Sequence, residues 1–296
     1  MIELRHLEML LAVAEHGSFT AAGHALRITP SAVSQQMSAL ERMTGSVLFE
    51  RSTRGVTLTR AGRLLATAAQ SIHGELARTR QSLAALETGT PTLTIASFTS
   101  AGERILAPAL ADLSERYGQP VDVTVLEAEP HDAIKAVRDG RADLAITYRL
   151  GDTAPPEVGL RYRPLVTDAL RLVVPARSPL GQRRKVAWSD LVGESWICGW
   201  GGLGDIFDRF AREHGLEPQV ACRSSDYDFM QALTGAGVGL ALIPELALTS
   251  RHDTTALPIS PTANRHIGVH AAPRLGPDHP AHALEALLHE RARPAL

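Results

Sequence analysis

Several features that would assign this chain to other classes of protein are missing. Only two of its 296 residues are cysteine, which excludes a disulfide framework. No apolar run approaches the roughly 18 residues that a membrane span needs. The N-terminus does not show the pattern of a signal peptide. We therefore expect a cytoplasmic protein with no membrane partner.

The signatures of common enzymes and metal sites are also missing. The chain contains no GxSxG, HExxH or GxxxxGK[ST] motif, and the histidines at 24, 73, 131 and 214 are not spaced as metal ligands. Lysine is nearly absent, with 2 Lys against 28 Arg, which we interpret as a bias of composition rather than a mechanism. The sequence predicts no catalytic residue, no metal site and no cofactor, so we do not expect an enzyme.

Two apolar series at helical spacing lie near the start of the chain, separated by a break over residues 27–29. They are Ala22, Ala25 and Leu26 in the first series, and Val33, Met37 and Leu40 in the second. Two short helices joined by a tight turn form a helix-turn-helix, whose second helix enters the major groove of DNA. The pattern predicts double-stranded DNA as a partner.

The second of these helices has a clear start and an unusual outer face. Thr29 is a good N-cap, and Pro30 suits the first helical position. The outward side chains are short and uncharged, and the amide of a glutamine can pair with adenine. The predicted DNA-binding residues here are Thr29, Pro30, Ser31, Ser34, Gln35 and Ser38.

A basic turn between two short apolar runs follows, over residues 47–58, and predicts a β-hairpin wing. Arg51 and Arg54 are expected to lie along the phosphates or to enter the minor groove. Residues 1–88 contain nine Arg and seven Glu, for a net charge of +2, whereas the rest of the chain has a net charge of −4. DNA binding is therefore expected to depend on a local basic patch.

This region resembles the N-terminal signature of LysR-type transcriptional regulators without a gap from residue 19 to 62. The matching residues are Phe19, Ala21, Ala22, Leu26, Pro30, Val33, Ser34, Gln36, Leu40, Glu41, Gly45, Leu48, Phe49, Arg51, Arg54, Leu58, Thr59 and Gly62. Thr44 and Val47 depart from the usual leucine and proline. The resemblance implies a winged helix-turn-helix over 1–58, a linker and dimerisation helix over 59–89, a homodimer or homotetramer, and RNA polymerase as a further partner.

Residues 59–88 contain no proline and carry an apolar stripe at steps of three and four residues. One helix of about 30 residues cannot bury such a stripe alone. A second copy of the chain is the natural cover, because helix-turn-helix proteins commonly read two half-sites as dimers. Packing against the helix's own domain is the open alternative.

After Gly89, apolar runs typical of strands alternate with helical patterns, which predicts α/β subdomains with mostly parallel sheets. The order resembles the effector-binding half of the same family, which is similar to periplasmic binding proteins. This resemblance implies a domain over 90–296, with lobe 1 at about 91–162 plus 266–296 and lobe 2 at about 163–265. A ligand is expected between the lobes.

Polar residues at predicted strand ends suggest the effector pocket. Hydroxyl and N–H groups after the first strand suit an anion, while two acids suit an amine, so a small zwitterion or polar acid fits both. The predicted effector-binding residues are Ser97, Phe98, Thr99, Ser100, Glu129, Tyr148, Trp200, Gly201, Gly202 and Asp226.

Two other functions stay open at this point. Gly199, Gly201 and Gly204 match a dinucleotide fingerprint, with Asp226 near the place of the ribose-binding acid, although the unit comes late in the chain for an NAD-binding enzymatic domain. The second open function is a regulator that is switched by oxidation of Cys198 and Cys222. Both cysteines fall inside predicted strands, so we expect them to be buried.

Overall fold

The computed structural model describes residues 1–52, 55–150, 159–199, 202–213, 215, 217–273 and 275–292. Within these ranges, the side chains at 51, 81, 82, 84, 85, 88, 202, 203, 205 and 206 are not described. The chain divides into two compact units, one of residues 1–88 with 137–141 and the other of residues 89–136 with 142–296. No helix in the described ranges is long and apolar enough to cross a membrane.

The first unit begins with three helices, a hairpin and one long helix. These are α1 (Leu4–His16), α2 (Phe19–Leu26), α3 (Pro30–Thr44), β1 (Phe49–Ser52), β2 (Gly55–Leu58) and α4 (Arg60–Thr88). The Ser18 hydroxyl accepts a hydrogen bond from the N–H of Ala21 and begins α2, and Arg27 ends it in the left-handed conformation with φ of 57°. β1 and β2 pair antiparallel, which confirms the hairpin that the sequence predicts.

The core of this unit forms where α1, α2 and α3 meet the hairpin. Its fully buried side chains include Leu10, Val13, Ala22, Val33, Met37 and Leu40, whereas Ala25 of the predicted inner face is exposed. Glu41 Oε1 accepts hydrogen bonds from the N–H groups of Leu48 and Phe49 at 2.8 and 3.3 Å. This contact fixes the start of the wing against the end of α3.

The long helix α4 leaves much of its apolar stripe in solvent. Five of its large apolar side chains are exposed: Leu64, Ile72, Leu76, Leu83 and Leu86. On another face it approaches residues 137–141 closely. Gly74 permits this approach, since a Cβ there would lie too near the carbonyl oxygen of Arg138. The Arg78 guanidinium donates to the carbonyl of Val137 at 3.2 Å.

The second unit is a mixed α/β structure. Its strands are β3 (Thr92–Ser97), β4 (Asp122–Glu127), β5 (Leu144–Leu150), β6 (Arg161–Pro175), β7 (Val186–Ala187), β8 (Ser195–Cys198), β9 (Gln219–Arg223), β10 (Leu240–Pro244), β11 (Thr254–Ser260) and β12 (Asn264–Ala271). Its helices are α5 (Thr99–Ala101), α6 (Ala107–Ala111), α7 (Leu113–Tyr117), α8 (Pro130–Arg138), α9 (Gly202–Glu213), α10 (Tyr227–Gly235) and α11 (Pro280–Ala292), with a π-helical turn at Gly102–Leu106.

The main sheet runs in the order β4-β3-β5-β12-β6-β10-β8-β9. Its two ends are parallel, but β12 pairs antiparallel with both β5 and β6, and β10 pairs antiparallel with β6. The expectation of mostly parallel sheets therefore holds only at the ends. The first part of β6 pairs with β12, and its last residues pair with β10 and β11. This strand therefore joins the half of the sheet with β3, β4, β5 and β12 to the half with β8, β9 and β10; these halves are called the two lobes below.

Candidate DNA-binding surface and effector cavity

The predicted DNA-binding face lies on the exposed side of α3. The Thr29 hydroxyl accepts a hydrogen bond from the N–H of Ala32 at 3.2 Å and so caps the helix. Ser31 and Gln35 are exposed, while Ser34 and Ser38 are half-buried on the same side. The inner face is closed by the buried residues of the core. Short polar side chains are thus presented along the first turns of the helix, as base contacts in a groove require.

Gln36 differs from its neighbour Gln35, because it is tied to α1. His6 Nδ1 accepts a hydrogen bond from the N–H of Glu3, so its Nε2 is the protonated nitrogen and donates to Gln36 Oε1 at 3.2 Å. Gln36 therefore positions α3, and Gln35 remains the glutamine available to a base edge.

The two arginines of the predicted wing cannot be placed in the same way. Arg51 lies in β1, but its side chain is not described, and Arg54 lies outside the described residues. The hairpin that carries them is present, with Arg51 opposite Val56. Their contact with phosphates stays a prediction.

A cavity of about 580 Å³ opens between the two lobes of the second unit. One wall comes from the segments after β3 and β4 and from the end of β5, and the other comes from the start of α10 and from residues 247–249. The lining residues are Phe98, Thr99, Ser100, Glu103, Glu127, Glu129, Tyr148, Ser225, Asp226, Tyr227, Asp228, Ala247, Thr249 and Arg265.

A buried arginine lies at this cavity. The Arg265 side chain is fully buried, and its Nε donates to Asp168 Oδ2 at 2.6 Å while Nη2 donates to Ser100 Oγ at 2.7 Å. The guanidinium carbon also lies 4.9 Å from the centroid of the Phe98 ring and 5.3 Å from that of Tyr148. Buried charges need such partners, because an unpaired charge in a protein interior is costly.

Two tyrosines in the lining are held in their neutral form. The pKa of Tyr148 is raised chiefly because the side chain is buried. The nearby carboxylate of Glu129, whose Oε2 accepts a hydrogen bond from the tyrosine hydroxyl at 2.9 Å, raises it further. Burial also raises the pKa of Tyr227 to about 12, against a partial lowering by the positive charge of Arg265. Both hydroxyls therefore act as hydrogen-bond groups at neutral pH.

The cavity brings together six of the ten predicted effector-binding residues: Phe98, Thr99, Ser100, Glu129, Tyr148 and Asp226. Ser97 is not in the lining. It is buried and its hydroxyl donates to the carbonyl of Phe98, because alternation along β3 turns it away. Gly202 begins α9 and is described only by that position, and Trp200 and Gly201 lie outside the described residues, so the role of these three stays a prediction.

Sequence reasoning missed the residues that complete the cavity. They are Glu103, Glu127, Ser225, Tyr227, Asp228, Ala247, Thr249 and Arg265. Asp226 also caps α10, since its Oδ1 accepts from the N–H of Phe229 at 3.0 Å. The short link from β9 to α10 supplies part of the described second wall. The sequence feature that could have indicated this wall is the polar segment at 224–228, which follows β9 and caps α10.

The two cysteines face different sides of the sheet. Cys198 is buried in the main core cluster, whereas half-buried Cys222 packs against a separate cluster around Ile197 and Met230. In the parallel pairing of β8 and β9, Cys222 is opposite Ile197 and Cys198 is opposite Arg223. Burial raises the pKa of the Cys198 thiol to about 11. The pair is therefore not arranged for a disulfide within the folded chain.

A helix-turn-helix with a wing, a long helix and a two-lobed domain around a polar cavity define the class of ligand-responsive DNA-binding regulators. Residues 4–63 match the family described as bacterial regulatory helix-turn-helix protein, lysR family, and residues 87–293 match the LysR substrate binding domain. The chain belongs to the LysR family of DNA-binding transcriptional regulators with an effector-binding domain. This confirms the family resemblance seen in residues 19–62.

Relatives of known name agree with this family. A probable nitrogen assimilation transcriptional activator of Synechococcus elongatus is 30% identical over 266 residues, covering 88% of this chain and 85% of that protein. The hydrogen peroxide-inducible genes activator of Pectobacterium carotovorum subsp. carotovorum is 28% identical over 250 residues, covering 83% and 81%. These relatives are transcription regulators, which confirms that the chain is not an enzyme and sets aside the NAD-binding alternative.

Solved structures show the same fold. OxyR of Corynebacterium glutamicum, as a cysteine-to-serine mutant bound to H2O2, has a TM-score of 0.60 at 24% identity and covers 99% of this chain and 93% of that one. CbnR in complex with its target DNA has a TM-score of 0.54 at 24% identity, covering 98% and 100%. At this identity the likeness supports the fold alone.

Proposed function

We propose that this protein regulates transcription in response to a small polar metabolite that binds in the cavity between its two lobes. The observation that carries the proposal is the cavity itself, because both lobes supply polar groups to it and a buried guanidinium lies among them. A ligand that bridges the two lobes favours one arrangement of them over another. The resulting change in the free energy of promoter binding is at most the difference between the ligand's binding free energies for the two arrangements.

DNA is bound, on this proposal, by the exposed face of α3 and by the β1–β2 wing. Thr29, Ser31 and Gln35 present hydroxyl and amide groups near the helix start. A relative of this fold, CbnR, has been solved in complex with its target DNA. Base contacts would come from α3, and the arginines of the wing would contribute phosphate contacts.

We propose that α4 joins two copies of the chain. Leu83 and Leu86 are 58% and 78% exposed, although leucine side chains are usually buried. A second α4 laid along this stripe would cover it and place two α3 helices for a two-part DNA site. The choice between dimer and tetramer, and contact with RNA polymerase, stay predictions from the family resemblance.

A redox switch is the second candidate, because some relatives are named as hydrogen peroxide-inducible genes activators. The placement of Cys198 and Cys222 on opposite sides of the sheet counts against a switch through this pair. A metabolite in the cavity is therefore the function that the geometry supports best.

The proposal is tested with the full-length protein and DNA from upstream of its own gene and the neighbouring gene. Compounds that raise the melting temperature are identified by thermal shift, and their effect on DNA affinity is then measured by fluorescence anisotropy. Ser100→Ala should weaken an active compound by about 1–2 kcal/mol, because a hydroxyl at the cavity is lost. Ser114→Ala, an exposed serine of α7, is the control.

The proposal fails if compounds that bind leave DNA affinity unchanged. It also fails if Ser100→Ala and Thr99→Ala bind them as tightly as Ser114→Ala does. Either result would place the ligand site, or the switch, elsewhere in the protein.

A further inference from the structure

The cavity carries an excess of negative charge from both of its walls. Its lining includes five carboxylates, namely Glu103, Glu127, Glu129, Asp226 and Asp228, and Arg265 is the one cationic side chain among the lining residues that the structure describes. The acids lie on both lobes, so the excess is a property of the cavity as a whole.

The partners of these carboxylates are neutral groups. Glu127 accepts from the Thr99 hydroxyl at 2.9 Å, and Asp228 accepts from the Thr249 hydroxyl at 2.7 Å. Glu129 and Asp226 likewise accept from a hydroxyl and a backbone N–H. Within the described residues none of the five forms a salt bridge. Arg251, which interacts electrostatically with Asp228, is itself paired with Asp253. All five carboxylates are exposed, so their charges face the open cavity and are accessible to an ammonium group of a ligand.

Arg265 does not neutralise them, because Asp168 already takes its charge at 2.6 Å. Its third nitrogen, Nη1, is buried and has no hydrogen-bond partner among the described residues, although Tyr227 lies close enough to interact with the guanidinium. A buried donor without an acceptor is unfavourable, so an acceptor atom on a ligand at this end of the cavity would relieve it. This observation is independent of the acidic lining and points to a different chemical group.

We infer that the cavity takes a small ammonium-bearing carboxylate of net charge zero or above, such as a basic amino acid, with its carboxylate at Arg265 and Ser100 and its ammonium groups at the acids. The inference rests on the proposal that this cavity is the effector site. A dicarboxylate would meet like charges on both walls, which disfavours it. A simple diamine would satisfy the acids but leave the Arg265 donor unpaired.

Four compounds of similar length separate these contributions in the wild-type full-length protein. They are L-lysine, cadaverine, which lacks the carboxylate, 6-aminohexanoate, which lacks the α-ammonium, and adipate, which carries two carboxylates. Isothermal titration should give the tightest binding for L-lysine, about tenfold weaker binding for each compound that lacks one group, and no binding for adipate. No variant is needed for this comparison, so it does not depend on a mutant folding.

Two variants and a control locate the charges. Glu129→Gln keeps an acceptor for the Tyr148 hydroxyl but removes one negative charge, and it should weaken both L-lysine and cadaverine about tenfold. Arg265→Lys keeps a positive charge beside Asp168 but removes the forked donors, so it should bring L-lysine down to the affinity of cadaverine and leave cadaverine unchanged. Glu217→Gln, at an exposed position outside the cavity, should change neither.

Tighter binding of adipate than of cadaverine would overturn the inference, because it would mean a site for anions. Failure of all four compounds would overturn it as well. In that case the proposed function would still stand if another class of compound raised the melting temperature, lost affinity in Ser100→Ala and altered DNA binding.

Discussion

Arg265 and Asp168 face each other directly across the antiparallel strands β12 and β6, as a fully buried ion pair with Nε and Oδ2 2.6 Å apart. The second carboxylate oxygen of Asp168 accepts from the N–H of Leu246 at 3.1 Å. Through Ser100 the same guanidinium also reaches the segment after β3. One cross-strand pair thus connects the strand that joins the lobes with the cavity between them.

Removing one member of this pair should destabilise the second unit strongly. Asp168→Ala leaves a buried guanidinium without its counter-charge, and the expected loss is about 3–5 kcal/mol in the free energy of unfolding. Urea unfolding followed by tryptophan fluorescence measures it, because all three tryptophans lie at 188–200. Glu290→Ala, which breaks the exposed pair with Arg116, should cost far less, because water screens both charges. Equal losses in the two variants would contradict this account.

The sequence predicts the local features of the fold well, because they depend on neighbouring residues. The cap at Thr29 and the hairpin after α3 both follow from short patterns. The first half of β6, from Arg161, has no such pattern, because it carries polar side chains and becomes a strand through pairing with β12.

The cavity could be predicted only in part, for a related reason. Thr99 follows β3 and Tyr148 lies near the end of β5, positions that local patterns can indicate, but Arg265 lies 165 residues from Ser100 along the chain. Only the register between β6 and β12 brings Arg265 beside Asp168, and no local pattern records that register. The described second wall includes Tyr227 and Asp228 at the start of α10, which no local pattern singled out.

The salt dependence of DNA binding should report the arginines of the wing. Each phosphate contact contributes a slope of about −0.9 to the logarithmic dependence of affinity on salt. Arg51→Ala and Arg54→Ala should each flatten the slope by about one contact in the full-length protein, as measured by anisotropy across a salt series. Arg80→Ala, an exposed arginine of α4, is the control. An unchanged slope in both wing variants would remove the hairpin from the phosphate contacts.

Adjacent glutamines of α3 should behave differently. Gln35→Ala is expected to lose a base contact of about 1–3 kcal/mol at one position of the site, because Gln35 is exposed. Gln36→Ala loses the hydrogen bond from His6 and should instead cost about 1 kcal/mol of stability. Selection of binding sites from random DNA, with thermal unfolding in parallel, separates the two effects. Equal loss of affinity on specific and random DNA in Gln35→Ala would argue against base recognition.

Self-association should depend on the exposed leucines of α4. Leu86→Ser removes an apolar side chain whose burial between two helices would contribute about 1.5–3 kcal/mol per copy. Sedimentation analysis should therefore show a dissociation constant at least about tenfold weaker. Arg80→Ser, which introduces a serine at an exposed charged position of the same helix, is the control and should leave the dissociation constant nearly unchanged. Unchanged assembly in Leu86→Ser would place the subunit contact in another part of the chain.

The thiol of Cys198 should be inert at neutral pH, because burial raises its pKa to about 11 and the thiolate is the reactive form. The raised pKa also makes the stability of the fold depend on pH. The neutral thiol is retained in the folded state while the unfolded chain loses its proton, so stability falls as pH rises from the ordinary value of 9.0 towards about 11. Cys198→Ser should show a shallower fall in this range than Cys222→Ser does.

Peroxide should accordingly leave the protein's DNA affinity unchanged, because the two thiols lie on opposite sides of the sheet and cannot be joined without unfolding it. Mass spectrometry of the treated protein should find no intramolecular disulfide, and half-buried Cys222 should be alkylated before buried Cys198. Cys198→Ser and Cys222→Ser should bind DNA like the wild type with and without peroxide. A peroxide-dependent change in DNA affinity that either substitution abolishes would favour a redox switch over a metabolite in the cavity. In that case substitutions in the cavity should not alter the effect of peroxide on DNA affinity.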